Sequence, residues 1–170
     1  IRILVEMIHR IYLHINTSGN CFDEDKIDSI SAIEVNENGK IRNHFYEDIP
    51  AYASPSLNQK YHFRDYKLDK LIITNEFINK LVKFKKFVKG KVLISHYKYY
   101  ENEFLIKAFK FAGLKIIENE WIDLQENIII QNDFGGDIFD IAKKLNISFD
   151  EKNNFFVTNA IANIHLRMVN

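Results

Sequence analysis

Apolar and polar positions alternate from Ile8 to Ile15, where Ile11, Leu13 and Ile15 are separated by Tyr12 and His14, and this two-residue period predicts a strand. Thr17-Ser18-Gly19-Asn20 then turns the chain. A second strand is expected over Ile27–Val35, ending at Asn36-Glu37-Asn38-Gly39. Asn-Gly favours a tight hairpin because both residues tolerate positive φ, so Lys40–Tyr46 should return as the third strand. The stretch from Glu47 to Leu68 holds both prolines, Pro50 and Pro55, among polar and aromatic residues, and reads as a long ordered loop.

The period then changes. From Thr74 to Val88 the apolar residues Phe77, Leu81, Phe84 and Val88 recur at helical spacing, with Lys80, Lys83, Lys86 and Lys89 on another face and Gly90 as terminator. Val92-Leu93-Ile94 is a short continuous apolar run, the pattern of a central strand buried on both faces. Ser95-His96-Tyr97 leads from it into a helix through about Ala112, closed by Gly113. Ile116-Ile117 and Trp121-Ile122-Asp123 suggest a further short strand. Asp137 caps a helix through Leu145, and Thr158–Met168 forms a last one. The order is three antiparallel strands, then alternating helices and strands, then terminal helices.

Composition narrows the classes. A chain of 170 residues with 46% hydrophobic and 14% aromatic residues has enough apolar side chains for a packed core. One domain over residues 8–170 is expected, with residues 1–7 as an N-terminal extension. Basic and acidic residues number 23 each, so the chain has no overall positive field for nucleic acid and any such contact needs a local patch. The candidate patch is the lysine face with Lys83, Lys86 and Lys89; solvation alone also explains such a face. Cys21 is the only cysteine, which excludes an intrachain disulfide and suits a reducing, cytoplasmic setting. No run approaches the roughly 20 apolar residues of a membrane span.

Several blocks match a family in order and spacing. His14-Ile15-Asn16-Thr17-Ser18-Gly19 stands where DEDD-type 3′-5′ exonucleases, the family of the bacterial polymerase III epsilon subunit, end their first strand with Asp-x-Glu-Thr-Thr-Gly. Ile27-Asp28-Ser29-Ile30-Ser31-Ala32 resembles the family's second strand, and Glu37-Asn38-Gly39-Lys40-Ile41 its hairpin. Val92-Leu93-Ile94-Ser95-His96-Tyr97-Lys98-Tyr99-Tyr100-Glu101 resembles Val-Leu-Val-Ala-His-Asn-x-x-Phe-Asp. Ile122-Asp123-Leu124 and Ile138–Ile147 resemble later family segments. The resemblance implies an α/β, ribonuclease H-like fold, with a mixed central sheet of three antiparallel and then parallel strands flanked by helices.

The same resemblance implies a damaged site. The family holds two divalent ions, about 4 Å apart, with four carboxylates from separate elements. Magnesium prefers anionic oxygen, and neutral amides do not supply the charge that two close cations need. Carried over by position, the first Asp is His14 and the Glu is Asn16, while the third acid is Glu101. In the last segment, His-x-x-x-x-Asp-Ala falls on Asn154–Ala160, which puts Asn154 at the general base and Asn159 at the final Asp. Asn153 is an alternative for Asn154. No resident metal is therefore expected, and magnesium or manganese belongs only to a reading in which nuclease activity survives. His14 with Glu101 makes at most two ligands for a softer ion.

Plainer roles exist for each residue. His14 also fits a hydrogen-bonded rim histidine, and Asn16, Asn154 and Asn159 fit a hydrogen-bonded cluster filling the former metal cavity. Asp23, Glu24 and Asp25 read as a solvated loop, and Glu118, Glu120 and Asp123 similarly. Tyr100 reads as core, Trp121 as packing, and Phe134-Gly135-Gly136-Asp137 as a flexible lead into a capped helix. Three classes follow: an inactive exonuclease-like domain that binds a protein, a non-catalytic single-stranded nucleic-acid-binding module, and a 3′-5′ exonuclease with an altered metal site.

Overall fold

A computed structural model describes residues 9–22, 25–36, 38–50, 74–126, 137–148 and 153–169. Outside them fall the N-terminal extension, Asp23 and Glu24, most of the Glu47–Leu68 loop, the Phe134–Gly136 stretch and the side chain of Asn154.

Five strands and four helices lie wholly within the described residues: β1 (Arg10–Thr17), β2 (Ile27–Val35), β3 (Ile41–Asp48), α1 (Asn75–Val88), β4 (Val92–Ser95), α2 (Lys98–Phe111), β5 (Trp121–Asp123), α3 (Ile138–Lys144) and α4 (Asn154–Val169). The strands form one sheet in the order β3-β2-β1-β4-β5. β1 pairs antiparallel with β2 and parallel with β4, so the sheet is mixed about its central strand. The fold is the α/β arrangement implied by the sequence.

The hairpin works as Asn-Gly predicts. Asn36 Oδ1 accepts the N–H groups of Asn38 and Lys40, and Gly39 sits at φ 75°. Glycine takes that conformation without a Cβ clash.

Helices cover both faces of the sheet. Ile11, Leu13 and Ile15 pack with Phe77, Leu81 and Phe84 of α1 and with Phe104, Leu105 and Phe109 of α2. Tyr12 turns the other way, to Ile33, Ile94, Ile141 of α3 and Ile161 of α4. The alternation in β1 therefore separates two cores rather than core from water, as the central strand of a two-sided sheet requires. Buried polar groups on the α4 side are paired: the Tyr12 hydroxyl meets His165 Nδ1 at 2.8 Å, and Thr158 Oγ1 donates to Ser31 Oγ at 2.8 Å.

Four boundaries differ from expectation. β1 is displaced two residues along the chain, because Asn16 and Thr17 still pair with β2. β3 runs on to Asp48, since Glu47 and Asp48 pair with Ile30 and Ser29. Ile116 and Ile117 precede the strand, and pairing with β4 starts at Trp121. The last helix starts at Asn154 rather than Thr158: Asn153 Oδ1 accepts the Phe155 N–H at 3.1 Å, and its carbonyl accepts those of Phe156 and Val157. An asparagine cap overrides the poor helix propensity of Phe155-Phe156-Val157.

α1 is capped by Thr74, whose Oγ1 accepts the Phe77 N–H at 3.1 Å. Thr74→Ala removes that acceptor and is expected to cost about 1 kcal/mol, read as a lower midpoint in urea unfolding. Among the described residues no helix is long and apolar enough to cross a membrane.

Candidate functional site

β1 and β4 run parallel, with Leu13 opposite Ser95, so their C-terminal ends open side by side. α2 begins three residues after β4 and brings Glu101, in its first turn, back over that opening. Glu101 is only 4% exposed. Its Oε1 accepts the Ile15 N–H at 3.3 Å and lies 3.4 Å from His14 Nδ1. Its Oε2 is buried beside the Ser95 Oγ, which also favours the charged carboxylate. Burial raises the Glu101 carboxyl above its ordinary range, and the His14 and Ile15 contacts only partly oppose this. Glu101 is a desolvated tie between α2 and β1.

Of the remaining expected positions, the described Asn16 and Asn159 do not converge on it. Asn16 is exposed at the end of β1, opposite Ser29. His14 sits opposite Ser31, and it is Thr158, fully buried, that α4 places over Ser31. Asn159 lies one residue, about 100°, around the helix. It lines a separate cavity of about 230 Å³ with Asn146, Ser148, Asn163 and Arg167. Among the described residues no hydrogen bond joins Asn16 to Asn159, so the amide cluster expected from the sequence does not assemble around these two. The phase of α4, set by Thr158, Ile161 and His165 against the sheet, turns Asn159 away.

Neighbouring acids are already engaged. Asp123 accepts the N–H groups of Lys98, Gln125 and Glu126, which fixes the start of α2 and the end of β5. Asp25 accepts from Ser18 Oγ and the Cys21 N–H in the β1–β2 turn. Tyr100 is partly buried against Phe104 and Phe22, and its hydroxyl contacts Thr17 Oγ1, the Gly19 carbonyl and Asn20 Oδ1. It anchors that turn, whereas Tyr97 and Tyr99 beside it are exposed. Trp121 packs against the larger core. His96 follows β4, and its burial lowers its proton affinity; among the described residues its Nδ1 has no hydrogen-bond partner.

This architecture has clear counterparts among solved structures. The nuclease domain of 3'hExo, a DEDDh family member bound to rAMP, superposes with a TM-score of 0.71 over 97% of this chain and 93% of its own, at 15% identity. A full-length 3'-exonuclease gives a TM-score of 0.71 over 96% of this chain and 82% of its own, at 16% identity. This is the fold of the DEDDh exonucleases. Product-bound exonuclease I also matches, with a TM-score of 0.67 and 9% identity, and the chain spans 43% of it. At these identities the likeness is one of fold. No protein-family profile and no curated protein matches the chain.

On the DEDDh scaffold, a pair of magnesium or manganese ions needs several carboxylates converging on one cavity. The residues that the resemblance puts there, His14, Asn16 and Glu101, are an imidazole, an exposed amide and one buried acid with an oxygen already spent on a backbone N–H. Among the described residues no group of three or more His, Cys, Asp or Glu side chains is placed to hold a metal. The described side chains do not fit a two-ion centre.

The three lysines of the candidate patch sit elsewhere, along α1, and line two different clefts. Lys83 and Lys86 face β3 alongside Phe87, where Lys83 lies 3.5 Å from Glu47. Lys86 and Lys89 face the opposite cleft, toward Ile116 and Ile117. The structure does not join them into one groove with His14 and Glu101.

Proposed function

We propose that this chain is an exonuclease-like domain without two-metal hydrolysis, acting in the cytoplasm by binding another protein, in DNA replication or repair. The observation that carries the reading is the state of Glu101. The acid at the third carboxylate position of the resemblance is buried and tied to the Ile15 N–H and His14, with histidine and asparagine in place of the first two acids. Removing even one carboxylate from a two-ion site lowers the rate by orders of magnitude. A fold kept intact around such a site is consistent with a role that uses its surface.

Titration calorimetry with manganese tests this directly. Weak or no binding is expected, and single-stranded DNA should survive incubation with magnesium or manganese. Manganese-dependent 3′-5′ degradation that disappears in Glu101→Gln would overturn the proposal, because glutamine keeps an acceptor for the Ile15 N–H while removing the acid.

A second reading, single-stranded nucleic-acid binding without cleavage, draws on Tyr97 and Tyr99, 51% and 61% exposed at the same end of the sheet. Exposed rings stack on bases, and such binding weakens steeply with salt. A salt-dependent gel shift lost in Lys83→Glu with Lys86→Glu would favour it over the protein-binding role.

A further inference from the structure

The lysines of this neutral chain are unevenly placed. Between Asn75 and Lys91 there are six, Lys80, Lys83, Lys85, Lys86, Lys89 and Lys91, against one acid, Glu76. Four are engaged: Lys80 with Glu47 and Glu76, Lys83 with Glu47, Lys85 with the Lys115 carbonyl, and Lys91 with Glu34. Lys86 and Lys89 have no ion pair or hydrogen bond among the described residues, and both are exposed.

These two free ammonium groups border a cleft of about 590 Å³ at the end of the sheet where β4 begins, away from Glu101. Its apolar lining comes from Val82, Val92, Ile116 and Ile117. The volume lies within the range of ordinary ligand sites, roughly 300–1,000 Å³. Cationic groups beside an apolar floor match a ligand that offers carboxylates and aliphatic side chains together.

Deepening the protein-binding role proposed above, and resting on it for the existence of a partner, we infer that this cleft docks a short acidic segment of that partner. Its carboxylates pair with Lys86 and Lys89, and its aliphatic side chains enter between Val82 and Ile116. A nucleic-acid strand suits the cleft less well. Among the described residues the lining contains no aromatic ring on which a base would stack, and Glu120 also lines it, where it repels a continuous run of phosphates, while Glu118 is paired with Lys115. A peptide carries its charges at intervals and can set its apolar residues against the acids.

Selection of displayed random peptides on the intact chain, followed by fluorescence anisotropy of the selected peptides, tests the assignment. The expected result is enrichment in Asp and Glu interspersed with Leu or Ile, with perturbation of the Gly90 and Val92 amide resonances on binding. Lys86→Glu with Lys89→Glu should weaken binding at least about tenfold, while the thermal midpoint stays close to that of the parent. The assignment fails if selected peptides lack acids, if charge reversal leaves affinity unchanged, or if no peptide is selected. It also fails if a single-stranded oligothymidylate, rather than peptide, perturbs these resonances. These outcomes are separate from the role it rests on. Nuclease activity sinks the proposed function and leaves the cleft's chemistry standing, whereas a partner captured through another face sinks only the cleft.

Discussion

Between pH 6.5 and pH 4 the protein is expected to lose up to about 3 kcal/mol of stability through His165 alone. This imidazole is 7% exposed, and burial lowers its pKa from 6.5 to about 4, with nearby Arg10 acting in the same direction. The Tyr12 hydroxyl, pushed by burial to about 12, stays protonated and shares a hydrogen bond with His165 Nδ1. Above pH 6.5 the ring is neutral in both folded and unfolded chains, and its contribution is fully present. As pH falls below 6.5 the unfolded chain takes up a proton that the folded chain refuses, and stability declines until the folded ring also titrates near pH 4.

Other groups titrate in the same window, so the measurement is a difference. His96 acts in the same direction as His165, and Glu101, with its raised pKa, acts in the opposite one. Burial raises the Glu34 carboxyl, but hydrogen bonds from Lys91 and His9 outweigh this and hold it low, so its loss falls at more acid pH. Urea unfolding at a series of pH values should show a shallower slope between pH 6.5 and 4 for Tyr12→Phe with His165→Leu than for the parent. Parallel curves would show that the ring is not buried in its neutral form. Tyr12→Phe alone should be the least stable of the three at pH 7, since it leaves Nδ1 buried without its partner.

The second large effect belongs to Phe104. This ring is fully buried, 5.1 Å from Phe22 in the β1–β2 turn and 4.9 Å from Tyr100. It stands three residues after Glu101, on the helix that closes the candidate site. Phe104→Ala should cost about 3–5 kcal/mol, through lost apolar burial plus the cavity left behind. That is a large part of the 5–15 kcal/mol typical of a domain. The site should register the loss as well. With α2 loosened, the Ile15 amide, held by Glu101 Oε1, should exchange with solvent faster than amides in the middle of β2. Phe104→Leu keeps most of the volume and should cost about 1 kcal/mol in the same unfolding measurement, with Ile15 still protected. Equal losses for both variants would mean that the ring's volume does not hold this corner together.

The hydrophobic pattern carried the fold well because period-2 and period-3.6 patterns report directly on sheet and helix. β2 begins and ends where Ile27 and Val35 predict, and the Asn-Gly turn, the Thr74 cap and the Asp137 cap all act through chemistry visible in a few adjacent residues. The start of α4 is missed for a local reason. Asn153 is a cap, but the bulky Phe155-Phe156-Val157 after it argues against a helix until the sheet gives that turn something to cover. The site was legible only in part. His14 and Glu101 meet, a pairing the family blocks suggested but could not measure. Neither the burial of Thr158 against Ser31 nor the turning away of Asn159 follows from spacing alone, because both depend on how α4 is rotated about its axis. The two clefts beside α1 were hidden in the same way, since the lysine face reads as one stripe until β3 and the 115–120 segment divide it.

The strand at residues 10–17 and the helix at residues 154–169 are joined by a hydrogen bond spanning 153 positions. During synthesis, the side of the sheet bearing Tyr12, Ile33 and Ile94 therefore stays only partly covered, by the helix at residues 138–144, until the last helix has cleared the ribosome. A polypeptide released early from translation would expose that greasy surface to water, making it a substrate for chaperones and proteases rather than a shortened working copy.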